Sequence, residues 1–326
     1  MSEKNNTYNL SQNANLIEMD AGIYENIPFL DYIRINAISH SELKRFKQQS
    51  PLHYKYKVDN EVKEEKEAFS DGRIYHLAIL EPENFEKNVI HEPKDWKKYK
   101  MMLPEDEVKK LEKDPSRMFD GRTRANKIIM PAFYNQVEEK RKENEGFIVC
   151  SWEVYKNALK MRESIMNNPV AEKLFHNGRT EVTLVWHDRE TGLKCKGRLD
   201  IDNEDKHYFA DLKKTKSARP YDFAYDFRKY GYYSQFAFYK DGAEELGHKE
   251  IKAAICLAVE DFAPFYNHTF YVKSDSSWFE KGREWYVKAI EELHYCITTD
   301  EWHGYYDKKN DSFKMYELPN LFDYQD

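Results

Sequence analysis

Alternating apolar and polar side chains predict a β-meander in the central third of the chain. Residues 180–187 carry apolar side chains at every second position, and residues 193–202 repeat this pattern after a polar turn. Residues 207–215 follow as a third strand. Because successive side chains of a strand point to opposite faces, the second strand has one charged face. Its members are Lys194, Lys196, Arg198, Asp200 and Asp202.

Helical segments are predicted before the meander. Ser39 with Glu42 three residues later forms a capping box, the typical start of a helix, and we expect Pro51 to end that helix. A second helix is expected from about residue 64 to the position before Pro82.

The pattern after the meander decides the fold class. One helix is expected from Pro220 to about residue 243, then strands at 251–259 and 266–272, and a helix at 276–296. Strands joined through a crossover helix are typical of a sheet with mixed strand directions. The sequence therefore predicts an α/β fold, in which a mixed central β-sheet is flanked by helices and preceded by N-terminal helical additions.

The chain reads as one domain with two peripheral segments. Residues 1–20 are rich in Asn, Ser and Gln, and we expect a disordered tail. Residues 21–326 are expected to form a single domain. Lys and Glu dominate residues 92–145, which predicts a charged helical insertion around 92–170 and not a separate domain.

Composition narrows the function classes. The 326 residues are 33% charged and 40% hydrophobic, with a formal net charge of −7, which argues against binding to nucleic acid by overall charge alone. A locally basic cleft is still compatible with this balance. We expect no membrane span and no export signal, and hence a cytoplasmic protein. The four cysteines lie far apart without a CxxC pair, so their spacing supports neither a zinc ribbon nor an iron–sulfur cluster.

Candidate chemistry lies on the second and third strands. Asp211 and Lys213 point to the same side of the third strand, and an antiparallel hairpin could place Asp200 opposite Asp211. Two carboxylates at that distance stay ionised together only around a cation, and an oxygen site of this kind suits Mg²⁺ or Mn²⁺. Lys213 could then position or deprotonate a water. The alternative is a solvated sheet face that carries paired charges.

The helix after the meander offers further polar groups. Tyr232, Gln235 and Tyr239 are spaced to share one helix face, where they could bind a phosphate or a base edge. Ordinary helix packing, with the hydroxyl groups reaching water, is the alternative. Basic side chains crowd around these strands and could form a DNA track: Lys194, Lys196, Arg198, Lys214, Lys216 and Arg219. Plain solvation of the surface is the alternative. The candidates for DNA contacts are Arg198, Lys214, Lys216 and Tyr232.

These motifs carry a family resemblance. The series Asp200, Asp211-x-Lys213, Gln235-x-x-x-Tyr239 resembles that of RecB-type nucleases in the PD-(D/E)xK superfamily. Upstream, residues 72–76 resemble the G-x-x-x-H helix of the same group, and residues 39–51 resemble its opening helix. The chain is most similar to the RecE family, the phage-type exodeoxyribonuclease VIII nucleases, over roughly residues 30–320.

The resemblance implies a restriction-endonuclease-like core and a set of functional residues. It implies a metal held by His76, Asp200, Asp211 and the backbone carbonyl of Leu212, with Mg²⁺ as the cofactor and Mn²⁺ able to substitute. Lys213 would be the catalytic lysine, with Gln235 and Tyr239 in support, and Glu181 stands at a position that is acidic in RecE-like proteins. Ser50 stands where the iron–sulfur members of the superfamily have a cysteine, so no cluster is expected.

The resemblance also implies an activity and partners. It implies a 5′→3′ exonuclease that degrades linear double-stranded DNA and leaves 3′ single strands for an annealing protein of the RecT type. A homo-oligomeric ring and a bacterial or phage origin are implied as well. Three alternatives stay open: a Cas4-like or helicase-associated nuclease of single strands, a non-catalytic DNA-binding relative, and an unrelated interaction protein.

Overall fold

The computed structural model describes residues 16–60, 71–176 and 178–305. The predicted tail, residues 1–20, lies mostly outside this range. Its last residues are described, and the backbone N–H of Ile17 donates to the carbonyl oxygen of Arg34 at 2.8 Å. Residues 64–70 of the second predicted helix also lie outside the described residues.

Most helices of the N-terminal half follow one another directly, and most strands of the central sheet lie in the C-terminal half of the described chain. The strands are β1 (Gly22–Tyr24), β2 (Ile38–Ser39), β3 (Val89–His91), β4 (Ile148–Cys150), β5 (Arg179–His187), β6 (Lys194–Asn203), β7 (Tyr208–Thr215), β8 (Ala253–Glu260) and β9 (Asn267–Lys273). The helices of the N-terminal half are α1 (Phe29–Arg34), α2 (His40–Gln48), α3 (Pro51–Asn60), α4 (Asp71–Leu80), α5 (Pro82–Asn88), α6 (Glu105–Lys113) and α7 (Arg124–Glu143). Those of the C-terminal half are α8 (Trp152–Met166), α9 (Pro169–His176), α10 (Pro220–Lys229), α11 (Tyr232–Glu245) and α12 (Ser277–Thr299).

The central sheet is mixed, as the sequence predicts. Its strand order is β1-β5-β6-β7-β8-β9, and β2 pairs in parallel with β6. The meander β5-β6-β7 is antiparallel, whereas β7 and β8 run parallel because α10 and α11 cross over between them. The two short strands β3 and β4 form a separate parallel pair.

Two helix boundaries differ from the prediction. Ser39 caps α2 as expected, since its Oγ accepts the backbone N–H of Glu42 at 3.2 Å, but Pro51 starts α3 instead of ending α2. The single helix expected after Pro220 is two helices. Gly231 lies between them with φ of 69°, a conformation that a residue without Cβ adopts easily, and the chain turns there.

Three large clusters of apolar side chains form most of the described core, and a small fourth cluster packs Ile35 and Ala37 on Val185. One lies between the sheet and helices α2, α11 and α12, and a second joins the sheet to α4 and α8. The third is built from residues 96–147 of the predicted insertion. Helices α8 and α9 contribute to the second cluster, so only the first part of the segment 92–170 has a core of its own.

The charged face of β6 is covered by the N-terminal segment and is not a solvated surface. Lys196 is 4% exposed, and its Nζ donates to the carbonyl oxygens of Tyr32, Ile33 and Ile35. Lys194 donates to Glu18. Each ammonium group therefore has oxygen partners, which offset the free-energy cost of removing its charge from water.

Close packing of α11 on α12 predicts a strong effect of one methyl group. A Cβ at Gly282 would lie 2.3 Å from the carbonyl oxygen of Tyr233, which is backbone and cannot move aside cheaply. We expect Gly282→Ala to lower the free energy of unfolding by about 2–3 kcal/mol in denaturant titrations. Gly121→Ala is the control, because the nearest atom to its Cβ would be a side-chain oxygen at 3.9 Å. Equal stability of both variants would contradict the packing.

Candidate active site

Asp200 on β6 and Asp211 on β7 lie opposite each other, one position beyond the last pair of the ladder between these strands. The antiparallel ladder between these strands ends at the pair Ile201 and Ala210, and the next position in the same register joins Asp200 to Asp211. Both are almost completely buried, at 8% and 3% exposure. The backbone N–H of Leu212 donates to Oδ2 of Asp200 at 2.6 Å, which fixes that carboxylate against β7.

His76 reaches this site from α4. Its Nδ1 lies 3.7 Å from Oδ2 of Asp200, and the backbone of Leu212 lies beside its ring. Burial, and after it the positive charges of Lys213 and Arg73, lower the pKa of His76 to about 3. The imidazole is therefore neutral at physiological pH, which is the form that binds metal ions.

Glu181 enters the site through an irregularity of β5. Its φ of 54° lies in the left-handed region, and the β5–β6 ladder skips the position where Glu181 would face Asp200. An irregularity of this kind re-aims a side chain and is frequent next to active sites. One oxygen each of Glu181 and Asp200 and one ring nitrogen of His76 lie within 4.8 Å of one another.

One ion pair and two hydrogen bonds connect Asp211 to Tyr239. Oδ2 of Asp211 lies 2.5 Å from Nζ of Lys213, which donates to Oε1 of Gln235 at 3.1 Å. The amide nitrogen of Gln235 then donates to the hydroxyl of Tyr239 at 3.0 Å. Burial alone would lower the pKa of Lys213, but the carboxylates of Asp211 and Asp200 outweigh it and raise this pKa. Lys213 is thus held as an ammonium group at a fixed place.

The sequence match decides the family once this geometry is known. A family model described as a PDDEXK-like domain of unknown function (DUF3799) matches residues 39–311, which is more than half of the chain. The chain belongs to this PDDEXK-like family. The match supports the PD-(D/E)xK nuclease superfamily, and the mixed sheet flanked by helices is consistent with the fold of that superfamily.

The chain also resembles solved structures, at low sequence identity. The chain is similar to a protein from Eubacterium rectale described as a candidate exonuclease, with 13% identity, a TM-score of 0.44, and coverage of 86% of this chain and 91% of that chain. It is also similar to the protein SSO0001, with 15% identity, a TM-score of 0.25, and coverage of 71% and 95%. No curated protein matches the chain.

Within the described residues, no helix is both long and apolar enough to span a lipid bilayer.

The charges of this PDDEXK-like site fit a divalent cation. Among the described residues, Glu181 is paired with Arg198 at 3.0 Å and Asp211 with Lys213, whereas the ion-pair neighbour of Asp200 is the neutral His76. Burial, followed by the charges of Asp211 and Glu181, raises the pKa of Asp200 well above its usual range. A cation beside Asp200 would offset this repulsion. The carboxylate oxygens suit a hard cation such as Mg²⁺ or Mn²⁺, whereas the imidazole nitrogen is a ligand typical of transition metals.

The three candidate ligand atoms would have to move only slightly closer together to bind one ion. Two ligands about 2.1 Å from one ion lie at most about 4.2 Å apart, close to the 4.8 Å within which the three ligand atoms fall. Asp211 lies outside that group of three, and Glu181 is inside it. The structure thus brings together His76, Asp200 and the backbone of Leu212 from the expected ligand set, and adds Glu181.

The residues expected to contact DNA differ in their exposure to solvent and in the partners that they already have. Arg198 requires a correction, because it is 7% exposed and its guanidinium donates to Glu181, Thr183 and the carbonyl oxygen of Ile27. Lys214 and Lys216 both lie near Asp261, at 3.6 and 3.0 Å, and the Lys216 side chain is 83% exposed. Tyr232 lies under Lys213, whose Nζ is 4.5 Å from the ring centroid.

Sequence reasoning missed the arginines that hold Glu181. Arg73 lies 3.6 Å from Glu181, forms a second ion pair with Glu81, and stacks on the ring of Phe29 at 4.4 Å. The signal for Arg73 was present, since it stands three residues before His76 and so shares its helix face. Arg198 gave no such signal, because its strand pattern is the same as that of a solvated lysine.

The buried pair of Arg198 and Glu181 predicts a large loss of stability on mutation. We expect Arg198→Met to lower the free energy of unfolding by about 3–5 kcal/mol, because it leaves buried Glu181 without its nearest cation. Arg189→Met is the control, since its ion pair with Glu245 is exposed and should contribute less than about 1 kcal/mol. Chemical denaturation of both variants measures this, and a loss below 1 kcal/mol in Arg198→Met would refute the structural role.

Proposed function

We propose that the chain is a metal-dependent DNA exonuclease that degrades linear double-stranded DNA from its 5′ end. The observation that carries the proposal is the convergence of His76, Glu181 and Asp200 within 4.8 Å, beside Asp211 and the fixed ammonium group of Lys213. Membership of the PD-(D/E)xK superfamily supports hydrolysis of phosphodiester bonds. The 5′→3′ direction comes from the resemblance to RecE-like nucleases.

The proposed chemistry divides between the cation and the side chains. A bound Mg²⁺ would lower the pKa of a water and neutralise charge on the scissile phosphate. His76, Glu181, Asp200 and the carbonyl oxygen of Leu212 are the residues that would hold it, with Asp211 adjacent. Lys213 orients the attacking water and faces the phosphate, because Asp211 and Gln235 fix its Nζ from two directions. The 3′-oxygen leaves, and the released nucleotide keeps its 5′-phosphate.

The biological setting belongs to the proposal as well. The product would be duplex DNA with a 3′ single strand, the substrate of a RecT-type annealing protein. A homo-oligomeric ring around the duplex and a cytoplasmic location in a bacterium complete this setting, and the ring rests on the family resemblance.

Labelled linear duplexes test the proposal. Purified protein with Mg²⁺ should release nucleotides from a linear duplex that carries a 5′-phosphate, should act more slowly on a 5′-hydroxyl end, and should leave closed circular duplex intact. Release of a 5′ label before a 3′ label would support the direction. Cleavage of the circle would contradict the exonuclease, and inertness on every DNA in both Mg²⁺ and Mn²⁺ would contradict a nuclease of any kind.

A further inference from the structure

Four tyrosines connect the candidate site to the protein surface. Beyond Tyr232, which lies under Lys213, the ring of Tyr230 follows with a centroid distance of 5.8 Å. Nζ of Lys229 lies 5.4 Å from the Tyr230 ring and 5.9 Å from the Tyr225 ring. Tyr221 precedes Tyr225 by one turn of α10. We call Tyr221, Tyr225, Lys229, Tyr230 and Tyr232 the tyrosine track.

The sequence of α10 separates this track from the core. Phe223 and Phe227 face inward and are buried, and Phe223 stacks on Phe270 of β9 at 5.0 Å. Tyr221, Tyr225 and Lys229 are spaced four residues apart and so form a separate stripe. Tyr221 is 85% exposed and Tyr225 is 67% exposed. Their rings are not needed for packing, because the phenylalanines already fill the interface between α10 and the sheet.

Positive charge accompanies the rings from the site outward. Nζ of Lys44 donates to the carbonyl oxygen of Tyr230 at 2.7 Å, so three ammonium groups, those of Lys213, Lys44 and Lys229, lie along the track. Burial, and after it the charge of Lys213, lowers the pKa of Lys44, which is consistent with its place beside the site.

The acidic residues of α10 form a different stripe and have partners of their own. Asp222 accepts from the hydroxyl of Ser217 at 2.8 Å and lies 3.5 Å from Arg219. Asp226 accepts from the hydroxyl of Thr215 at 3.3 Å. Neither interrupts the alternation of ring and ammonium group along the track.

We propose that the tyrosine track binds a single-stranded segment of DNA that leads into the candidate active site. Successive bases stack on the tyrosine rings, and the lysines contact the phosphates between them. Aromatic rings alternating with cations are typical of surfaces that bind single strands, and bases that are still paired and stacked in a duplex offer no free face to such rings. This inference rests on the proposed nuclease function, and it adds that several nucleotides of the substrate end are unpaired at the site.

Binding of oligonucleotides tests the track directly. Fluorescence anisotropy with labelled oligo(dT), and with a blunt duplex of the same length, is measured in Ca²⁺ to suppress hydrolysis. We expect Tyr221→Ala with Tyr225→Ala to weaken oligo(dT) binding by ~10-fold or more, since each stacked base contributes substantially. The duplex should be affected much less. Replacing both tyrosines by Phe should restore binding, because the ring and not the hydroxyl makes the contact.

The control variant is Tyr56→Ala, which removes a tyrosine of similar exposure, 65%, from α3. It should bind oligo(dT) as the wild type does. Unchanged binding by the double alanine variant, or equal loss in the double phenylalanine variant, would overturn the track. Wild-type protein that binds oligo(dT) but hydrolyses no DNA in Mg²⁺ or Mn²⁺ would overturn the proposed function and leave the track in place.

Discussion

Asp200→Asn will abolish metal-dependent DNA cleavage while leaving the fold intact. The substitution keeps an oxygen that can accept the backbone N–H of Leu212, but it removes a carboxylate that lies near both His76 and Asp211. We expect hydrolysis of linear duplex to fall by ~10³-fold or more, because the charge that would hold the cation is lost. Initial rates in Mg²⁺ and in Mn²⁺ measure this effect.

Stability of the same variant provides a second readout. Burial and neighbouring carboxylates raise the pKa of Asp200, so the metal-free wild type loses stability as the pH rises through the interval from the unfolded pKa to the folded pKa. Asp200→Asn carries no such charge and should melt at or above the wild-type temperature at alkaline pH without metal. Asp205→Asn is the matched control, since its side chain is 89% exposed at the turn after β6. Equal activity of Asp200→Asn and Asp205→Asn would contradict the site.

Lys213→Met will separate catalysis from metal binding. The residue is fixed by Asp211 and Gln235 and lies outside the group of three candidate ligands. We expect the rate of cleavage to fall by ~10²–10⁴-fold, the range for loss of a group that positions or protonates reacting atoms. Binding of Mn²⁺, followed by titration calorimetry, should be retained, because removal of a nearby positive charge does not weaken a cation site.

Exposed Lys206→Met is the comparison for this variant, since it removes a lysine from the turn between β6 and β7 without touching the site. It should cleave DNA at the wild-type rate. Lys213→Met that cleaves DNA normally would exclude a catalytic role for this lysine. If Lys213→Met lost both Mn²⁺ binding and activity, Lys213 would instead be a residue that stabilises the metal site.

The sequence predicted the sheet better than its surroundings. Alternation located β5, β6 and β7 within one or two residues, because a strand buried on at least one face imposes a strict period of two. The break at Gly231 was missed, since both helices around it carry helical periodicity and only the backbone conformation separates them. A lone glycine between two aromatic residues was the available signal.

The burial of charged residues was the part of the site that the sequence predicted least well. Motif order named His76, Asp200, Asp211 and Lys213, but pattern alone could not distinguish buried charges from solvated ones. Lys196 and Arg198 are buried because the segment before β2 folds over β6 and supplies carbonyl oxygens. The residues in these contacts are 161 and 171 positions apart. The turned backbone at Glu181, which brings its carboxylate to His76, likewise has no signature in the sequence.

Anomalous scattering from a crystal soaked in Mn²⁺ tests the account most directly. We predict one strong peak at the manganese edge, bonded to a ring nitrogen of His76 and to carboxylate oxygens of Asp200 and Glu181, and its absence from crystals of His76→Ala. His187→Ala, which changes an exposed histidine at the end of β5, should keep the peak. Manganese bound elsewhere, with none between His76 and Asp200 in an accessible site, would contradict the account.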